Sequence, residues 1–239
     1  KSWLDAVAED GRVHGYVNPI GAVTGRMTHS SPNVAQVPSS YSPYGKECRS
    51  CWIVKKGYKL VGADASGLEL RMLSHYMNDK EYTHEVTSGD VHTANQKSAG
   101  LPDRDSAKTF IYAFLYGAGD AKIGSIVGGS SRDGKKLKEV FLSNTPSLRT
   151  LRERVEGACA RGYLKGIDGR KLIIRSSHAA LNTLLQSAGA IIMKKALTIL
   201  DDHAKIYKID YKFVGNIHDE FQTEVREDQA EKFGWLAVE

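Results

Sequence analysis

Four side chains between positions 104 and 116 carry the first chemical signal in this sequence. With about 100° of rotation per helical residue, Arg104, Lys108, Tyr112 and Tyr116 share one continuous face, and Phe110 and Phe114 fall on the opposite one. Two cations and two phenols in one stripe suit a ligand that is both anionic and flat. A nucleoside triphosphate is such a ligand, with Arg104 and Lys108 on its phosphates and the rings against base and sugar. Taken alone, the stripe is equally an ordinary solvated face, so the chemistry needs further groups. Two acids supply them. Asp64 closes a strand-like run at 59–64, and Asp219 stands between His218 and Glu220 where two β-branched and aromatic runs meet. Adjacent acids at a hairpin tip repel each other unless a cation sits there. A sheet can bring Asp64 beside Asp219 to hold two hard cations such as magnesium. One ion would activate an attacking hydroxyl oxygen and the other the leaving pyrophosphate, while Arg104 and Lys108 neutralise the triphosphate. Phosphoryl transfer needs mainly alignment and charge neutralisation, so this set suffices without a covalent nucleophile.

The elements that must position these groups can be read from periodicity and punctuation. Residues 1–10 read as the tail of a helix. Gly, Pro, Asn, Ser and Thr crowd 11–38, which predicts a turn-rich sheet margin. Its polar residues Asn18, Thr24, Gly25, Arg26, Asn33 and Gln36 lack periodicity; they suit sugars, phosphates or minor-groove edges, or plain loop polarity. The run 59–64 reads as a buried strand, and 67–78 as a helix with Leu68, Met72, Leu73 and Tyr76 inward. Glu69 then follows Asp64 by one helical turn. Asp90 is suited to cap a helix whose first turn holds His92, a phosphate ligand or a surface histidine. The helix from Arg104 breaks at Gly117-Ala118-Gly119. Further helices are expected at 122–127, 134–142 and, opened by Thr145-Pro146, through 160. A hairpin at 167–174 turns on Asp168-Gly169. The amphipathic stretch 182–200 puts Asn182 and Gln186 on one face, where they could read a groove together.

Composition bounds the rest. The chain has 239 residues, and 33 Lys and Arg against 28 Asp and Glu give +5, a weak argument for a polyanionic partner unless the charge is gathered on one surface. No apolar run reaches the length of a membrane span and no signal-like segment opens the chain, so a soluble cytoplasmic protein with no membrane partner is expected. Three cysteines make no disulfide framework; Cys48 and Cys51 form a CxxC that reads as unpaired thiols beside a strand rather than a zinc site. Because the chain opens on Lys1 and stops inside a helical pattern at 235–239, a piece of something longer is expected.

Five ordered motifs resemble the polymerase domain of the family A DNA polymerases, the DNA polymerase I group, and most closely its short-tailed bacteriophage branch. Asp64-Ala65-Ser66-Gly67-Leu68-Glu69-Leu70-Arg71 is similar to motif A, with the phage-like Ala and Gly. Residues 104–117 follow the RxxxKxxx(F/Y)xxxYG form of motif B, and His218-Asp219-Glu220 that of motif C. Thr24-Gly25-Arg26 with Pro32-Asn33-Val34-Ala35-Gln36-Val37-Pro38 resembles the primer-template segment, and residues 179–186 the DNA-contacting palm helix. Each motif alone is weak; their order across nearly the whole chain is specific.

The resemblance implies an α/β fold: a polymerase palm with a mostly antiparallel sheet and an inserted helical fingers subdomain, with thumb and exonuclease domain absent. Residues 1–78 would be the N-terminal palm, 79–165 the fingers and 166–239 the truncated C-terminal palm. It implies template-directed transfer of a nucleotide from dNTP to a primer 3′-hydroxyl in phage replication, in the host cytoplasm. Asp64 and Asp219, with the Ala65 carbonyl, would bind two Mg2+ ions, and Glu220 would stand nearby. Glu69 would be the steric gate against a ribose 2′-hydroxyl. Arg104, Lys108 and His92 would contact the triphosphate, with Lys108 protonating pyrophosphate. Tyr112 would stack on the incoming nucleotide and, replacing the bacterial Phe, imply tolerance of dideoxynucleotides; Tyr116 would guard the templating base. Thr24, Arg26, Asn33, Gln36, Asn182, Gln186 and His218 would hold primer-template DNA, and a processivity factor would act through the missing thumb. Three other readings compete. A two-metal nuclease leaves the cationic and aromatic stripe unexplained, Glu69 argues against a single-subunit RNA polymerase, and intact Asp64 and Asp219 argue against an incompetent DNA- and dNTP-binding fragment.

Overall fold

Two runs of β-branched and aromatic residues joined by His218-Asp219 fold back on each other in the computed structural model, which describes residues 3–239. The chain opens with β1 (Tyr16–Asn18), β2 (Thr28–Ser30), α1 (Gly45–Ser50) and β3 (Tyr58–Asp64). A helical series follows: α2 (Leu68–Met77), α3 (Lys80–Thr87), α4 (Val91–Ala99), α5 (Arg104–Leu115), α6 (Asp120–Ile126), α7 (Ser131–Asn144) and α8 (Pro146–Cys159). Then come β4 (Tyr163–Lys165), β5 (Lys171–Ile173), the long α9 (Ala180–Ile206), β6 (Tyr211–Ile217), β7 (Glu220–Arg226) and α10 (Ala230–Val238). Two units share these elements: Lys1–Ser66 with Ala190–Glu239, and Gly67–Gly189. The sequence boundaries at 78 and 165 both fall inside the second unit.

The first unit is built on an antiparallel sheet of order β3-β7-β6. Tyr211 and Phe213 on β6 stack on Phe233 of α10, with ring centroids 5.5 and 6.4 Å away, and Val225 of β7 is fully buried on the same face. One face is thus covered by α10 and the other is open, the usual economy of an antiparallel sheet. That explains why β3 is not the buried strand expected from its sequence: Leu60 and Asp64 on the open face are exposed, while Val61 and Ala63 on the other face are partly covered. On the open face Glu224 is nevertheless buried, because Arg12 reaches it with Nη2 at 3.1 Å. The helical tail expected at 1–10 is a single 3₁₀ turn, Leu4–Ala6, ahead of a bridge from Val7 to Val13; its first two positions lie outside the described residues. Gly11, at φ 74°, reverses the chain before a helix can propagate.

The second unit is a helical cluster. Phe110 and Phe114 of α5 meet Phe141 of α7 edge-on, at 5.1 and 5.5 Å, and Leu73, Ile111, Leu148 and Leu185 close the core around them. Asp79, Asp90 and Asp103 cap α3, α4 and α5 through side-chain oxygens, and Ser130 with Asp133 forms a capping box on α7. The hairpin expected at 167–174 is shifted: β4 begins at Tyr163, and 166–170 is the loop, with Gly169 at φ 85°. The segment Ser177–Ile206 is long and apolar enough by length and composition to cross a membrane, contrary to the reading of the sequence. Its Leu181, Leu184, Leu185 and Ala188 are buried in this unit and Met193, Leu200 and Ala204 in the first, the pattern of a core helix. The CxxC lies on and just after α1, with Cys48, Cys51 and Cys159 all free thiols.

Candidate active site

Sheet register assembles the acids. β7 runs antiparallel to β3 so that Asp64 stands opposite Glu220, and the Ala65 N–H donates to the Asp219 carbonyl at 2.8 Å. Residues directly opposite on paired strands share a face, so Asp64 and Glu220 stand on one face at the ends of β3 and β7, with the backbone of Asp219 bonded beside them. Asp64 is exposed; Asp219 and Glu220 are half-buried. Glu220 Oε1 accepts a hydrogen bond from Gln222 Nε2, two residues along the same face. Gly62 stands opposite Gln222 and makes room for that amide, since a Cβ there would lie 2.9 Å from its nitrogen. The connection from β6 to β7 is a γ-type turn: the Asp219 N–H donates to the Ile217 carbonyl at 2.8 Å, and His218 sits at φ 62°. A non-glycine residue in the left-handed region costs of order ~1 kcal/mol.

In the second unit the polar stripe exists as its spacing predicts. Arg104, Lys108 and Tyr116 are exposed and Tyr112 is half-buried, while Phe110 and Phe114 are buried on the far side of α5. α4 lies against α5 and brings His92 to the stripe, its ring 6.3 Å from that of Tyr112. Burial, then the nearby charges of Arg104 and Lys108, hold the His92 imidazole below its ordinary pKa, with Asp90 opposing them. The stripe therefore sets His92, harder to protonate than a free imidazole, beside the side chains of Arg104 and Lys108. Asp90 does more than cap: its Oδ2 accepts from Arg104 Nε at 2.8 Å. The hydrogen bond from that guanidinium, with the Thr93 hydroxyl next, holds the Asp90 carboxyl well below the usual carboxylate range. Glu69 lies in the first turn of α2, behind Gly67 at φ 62° and beside Leu68, whose side chain packs on Gly189.

The residues expected to hold DNA divide between the units. Thr24, Arg26, Asn33, Gln36 and His218 belong to the first, and Asn182 and Gln186 to the second, at the start of α9. The Thr24–Arg26 turn is held by Lys194, whose Nζ donates to the carbonyls of Pro19 at 2.5 Å and Gly25 at 2.6 Å. His29 on β2 pairs its Nε2 with the Asn216 carbonyl at 2.9 Å, which ties this region to the motif C hairpin. Asn33 is already engaged, because its Oδ1 accepts from the Ala35 N–H at 3.1 Å; its amide nitrogen is the group left to donate. The Asn182 Oδ1 is buried with no hydrogen-bond partner among the described residues, a state that asks for a ligand donor.

A sequence profile of DNA polymerase family A matches residues 2–238. The chain belongs to family A of the DNA polymerases. It is 47% identical to the DNA-directed DNA polymerases of Enterobacteria phage T3 and Escherichia phage T7, across 97% and 96% of its own length. It spans 38% and 37% of the lengths of those relatives. Among solved structures it resembles the POL domain of Pol1 from M. smegmatis, determined in complex with DNA primer-template and dNTP: the TM-score is 0.88 at 25% identity, over 99% of this chain and 46% of that one. Within this polymerase chain, the stripe of Arg104, Lys108, Tyr112 and Tyr116 was legible from spacing, and the other motif residues from the family resemblance. The partners Asp90, Lys194 and Gln222 were not, since a helix cap, a lysine inside an amphipathic helix and a strand glutamine carry no local sign of what they reach. Only the capping role of Asp90 had a signal, its place just before an apolar helix.

Proposed function

We propose that the polymerase carrying this chain extends a primer on a DNA template, transferring a nucleotide from dNTP to the primer 3′-hydroxyl. The observation that carries the reading is the register of β3 on β7, which joins the acids of two motifs far apart in sequence at one sheet edge. Asp64 and Asp219, with the Ala65 carbonyl, would hold two Mg2+ ions, and this donor set fits: hard oxygens at one edge suit a cation that keeps water and phosphate oxygens in its shell. Among the described residues no group of three or more His, Cys, Asp or Glu forms a metal cluster. When bound, magnesium supplies the charge that activates the primer hydroxyl and neutralises the leaving pyrophosphate. Arg104, Lys108 and His92 hold the triphosphate, and Lys108 gives a proton to the pyrophosphate oxygen. Tyr112 stacks on the incoming nucleotide, Tyr116 guards the templating base, and Glu69 excludes a 2′-hydroxyl. Thr24, Arg26, Asn33, Gln36, Asn182, Gln186 and His218 hold the primer-template. In this reading the helices from α3 to α8 act as fingers and the β3-β7-β6 sheet as palm. The reading extends to a role in phage DNA replication, suggested by the phage origin of the relatives, and to the cytoplasm of the host as the place where it would act.

Primer extension with template, dNTPs and magnesium tests the reading. Asp219→Asn should lower the extension rate by at least about a hundredfold, the loss of several kcal/mol of charge stabilisation. An unchanged rate would remove Asp219 from the metal site, and primer degradation without extension would replace polymerisation by hydrolysis.

A further inference from the structure

One carboxylate stands behind two of the groups assigned to the triphosphate. Asp90 Oδ1 accepts from the backbone N–H groups of His92, at 3.1 Å, and Thr93, at 3.4 Å, and so sets the first turn of α4 from which His92 projects. Its Oδ2 accepts from the Thr93 hydroxyl at 2.8 Å and from Arg104 Nε at 2.8 Å. The two oxygens thus divide the work, one on α4 and one on α5. A guanidinium carries five N–H donors in a fixed planar fork. Fixing Nε from behind orients the plane and leaves the Nη edge for a bidentate acceptor such as a phosphate. Both side chains are about half exposed, 44% for Asp90 and 51% for Arg104, so the pair sits at the surface where a ligand can reach the guanidinium.

We propose that Asp90 is a positioning residue for the incoming nucleotide: it aims Arg104 by Nε and sets His92 beside it, so that one carboxylate aligns two triphosphate contacts on different helices. The proposal rests on the polymerase reading above. It opposes a second reading of the same geometry, in which Asp90 competes with phosphate for Arg104 and hinders binding.

The two duties of Asp90 can be separated chemically. Asn caps a helix as well as Asp does, so Asp90→Asn keeps the turn of α4 and loses the charged bond to Arg104. In single-nucleotide primer extension by the full polymerase, Asp90→Asn should raise the KM for dNTP about fivefold, on the scale of an exposed ion pair. The rate at saturating dNTP and the affinity for primer-template should stay within about twofold. Asp90→Glu, which keeps the charge, should recover part of the loss. A double-mutant cycle supplies the decisive readout: in an Arg104→Ala background, Asp90→Asn should add nothing, because its effect runs through Arg104. A fully additive cycle, an unchanged KM or a lowered KM would each overturn the proposal, the last in favour of competition. Circular dichroism melts of each variant show whether the fold is kept; if Asp90→Asn does not fold, Asp90→Glu and the cycle built on it decide the matter alone. Failure of the wild-type enzyme to extend a primer would instead overturn the polymerase reading, so the two failures are distinguishable.

Discussion

At the scale of single residues, what matters is how neighbours set the state of the groups proposed to meet a nucleotide. His92 is the most informative. Burial lowers its pKa first, and the charges of Arg104 and Lys108 lower it further from the ordinary 6.5. With the folded value below the unfolded one, the contribution of neutral His92 to stability is complete above about pH 6.5 and is lost as pH falls through the lowered value. The same logic sets its response to ligands. In an NMR titration, Arg104→Ala should move the His92 pKa upward by removing one of the charges that depress it, and bound pyrophosphate should move it upward as well. A value unmoved by Arg104→Ala would mean that burial alone holds the ring neutral. His218 shows a different residue-scale effect, since its φ of 62° concentrates strain beside Asp219.

At the scale of elements, the join between α5 and α9 brings two stretches of backbone into close approach within the helical unit. Gly117 ends the motif B helix at φ 75°, and a Cβ there would lie 2.3 Å from the carbonyl oxygen of His178, just ahead of α9. Lys138 on α7 secures the same turn, donating to the Ala118 carbonyl at 2.6 Å and pairing with Asp120 at 2.9 Å. Gly117→Ala should therefore destabilise the unit by about 2–4 kcal/mol, combining left-handed strain with an overpacked contact. Urea unfolding followed by circular dichroism reads this directly. A stabilised variant, as Ala for Gly would give in an open helix, would show that the backbones do not approach so closely.

At the scale of the whole molecule, contacts between distant stretches hold the sheet that carries the acids. Arg12 reaches Glu224 across 212 residues of sequence, with the carboxylate fully buried and the guanidinium only 35% exposed. Breaking such a pair from one side strands a buried charge, whereas replacing both partners with apolar groups is often neutral. Arg12→Met should cost about 2–3 kcal/mol in chemical denaturation, and the double change Arg12→Met with Glu224→Met should recover most of it. A single variant as stable as the parent would mean that water, not Arg12, satisfies Glu224. Lys194 acts over a similar span, 175 residues from Pro19, and ties the N-terminal turn to α9.

The motifs, the polar stripe of α5 and the cap at Asp90 were legible in the sequence because each depends on a local period or a short fixed spacing. Element boundaries held to a few residues where caps marked them, as at Asp90 and Thr145, and slipped where strands were short, as at β4. The helical tail at 1–10 failed because three or four suitable residues do not nucleate a helix against a following glycine. Tertiary structure alone decided the pairing of Asp64 with Glu220, the grip of Asp90 on Arg104, and the reach of Lys194 and Arg12. The reason is physical: a periodic pattern specifies which face of an element is buried, but strand register and the partner of a long polar side chain are set by which elements pack together. Which residues are candidates for the site was thus written along the chain; what holds them in place was written across the fold.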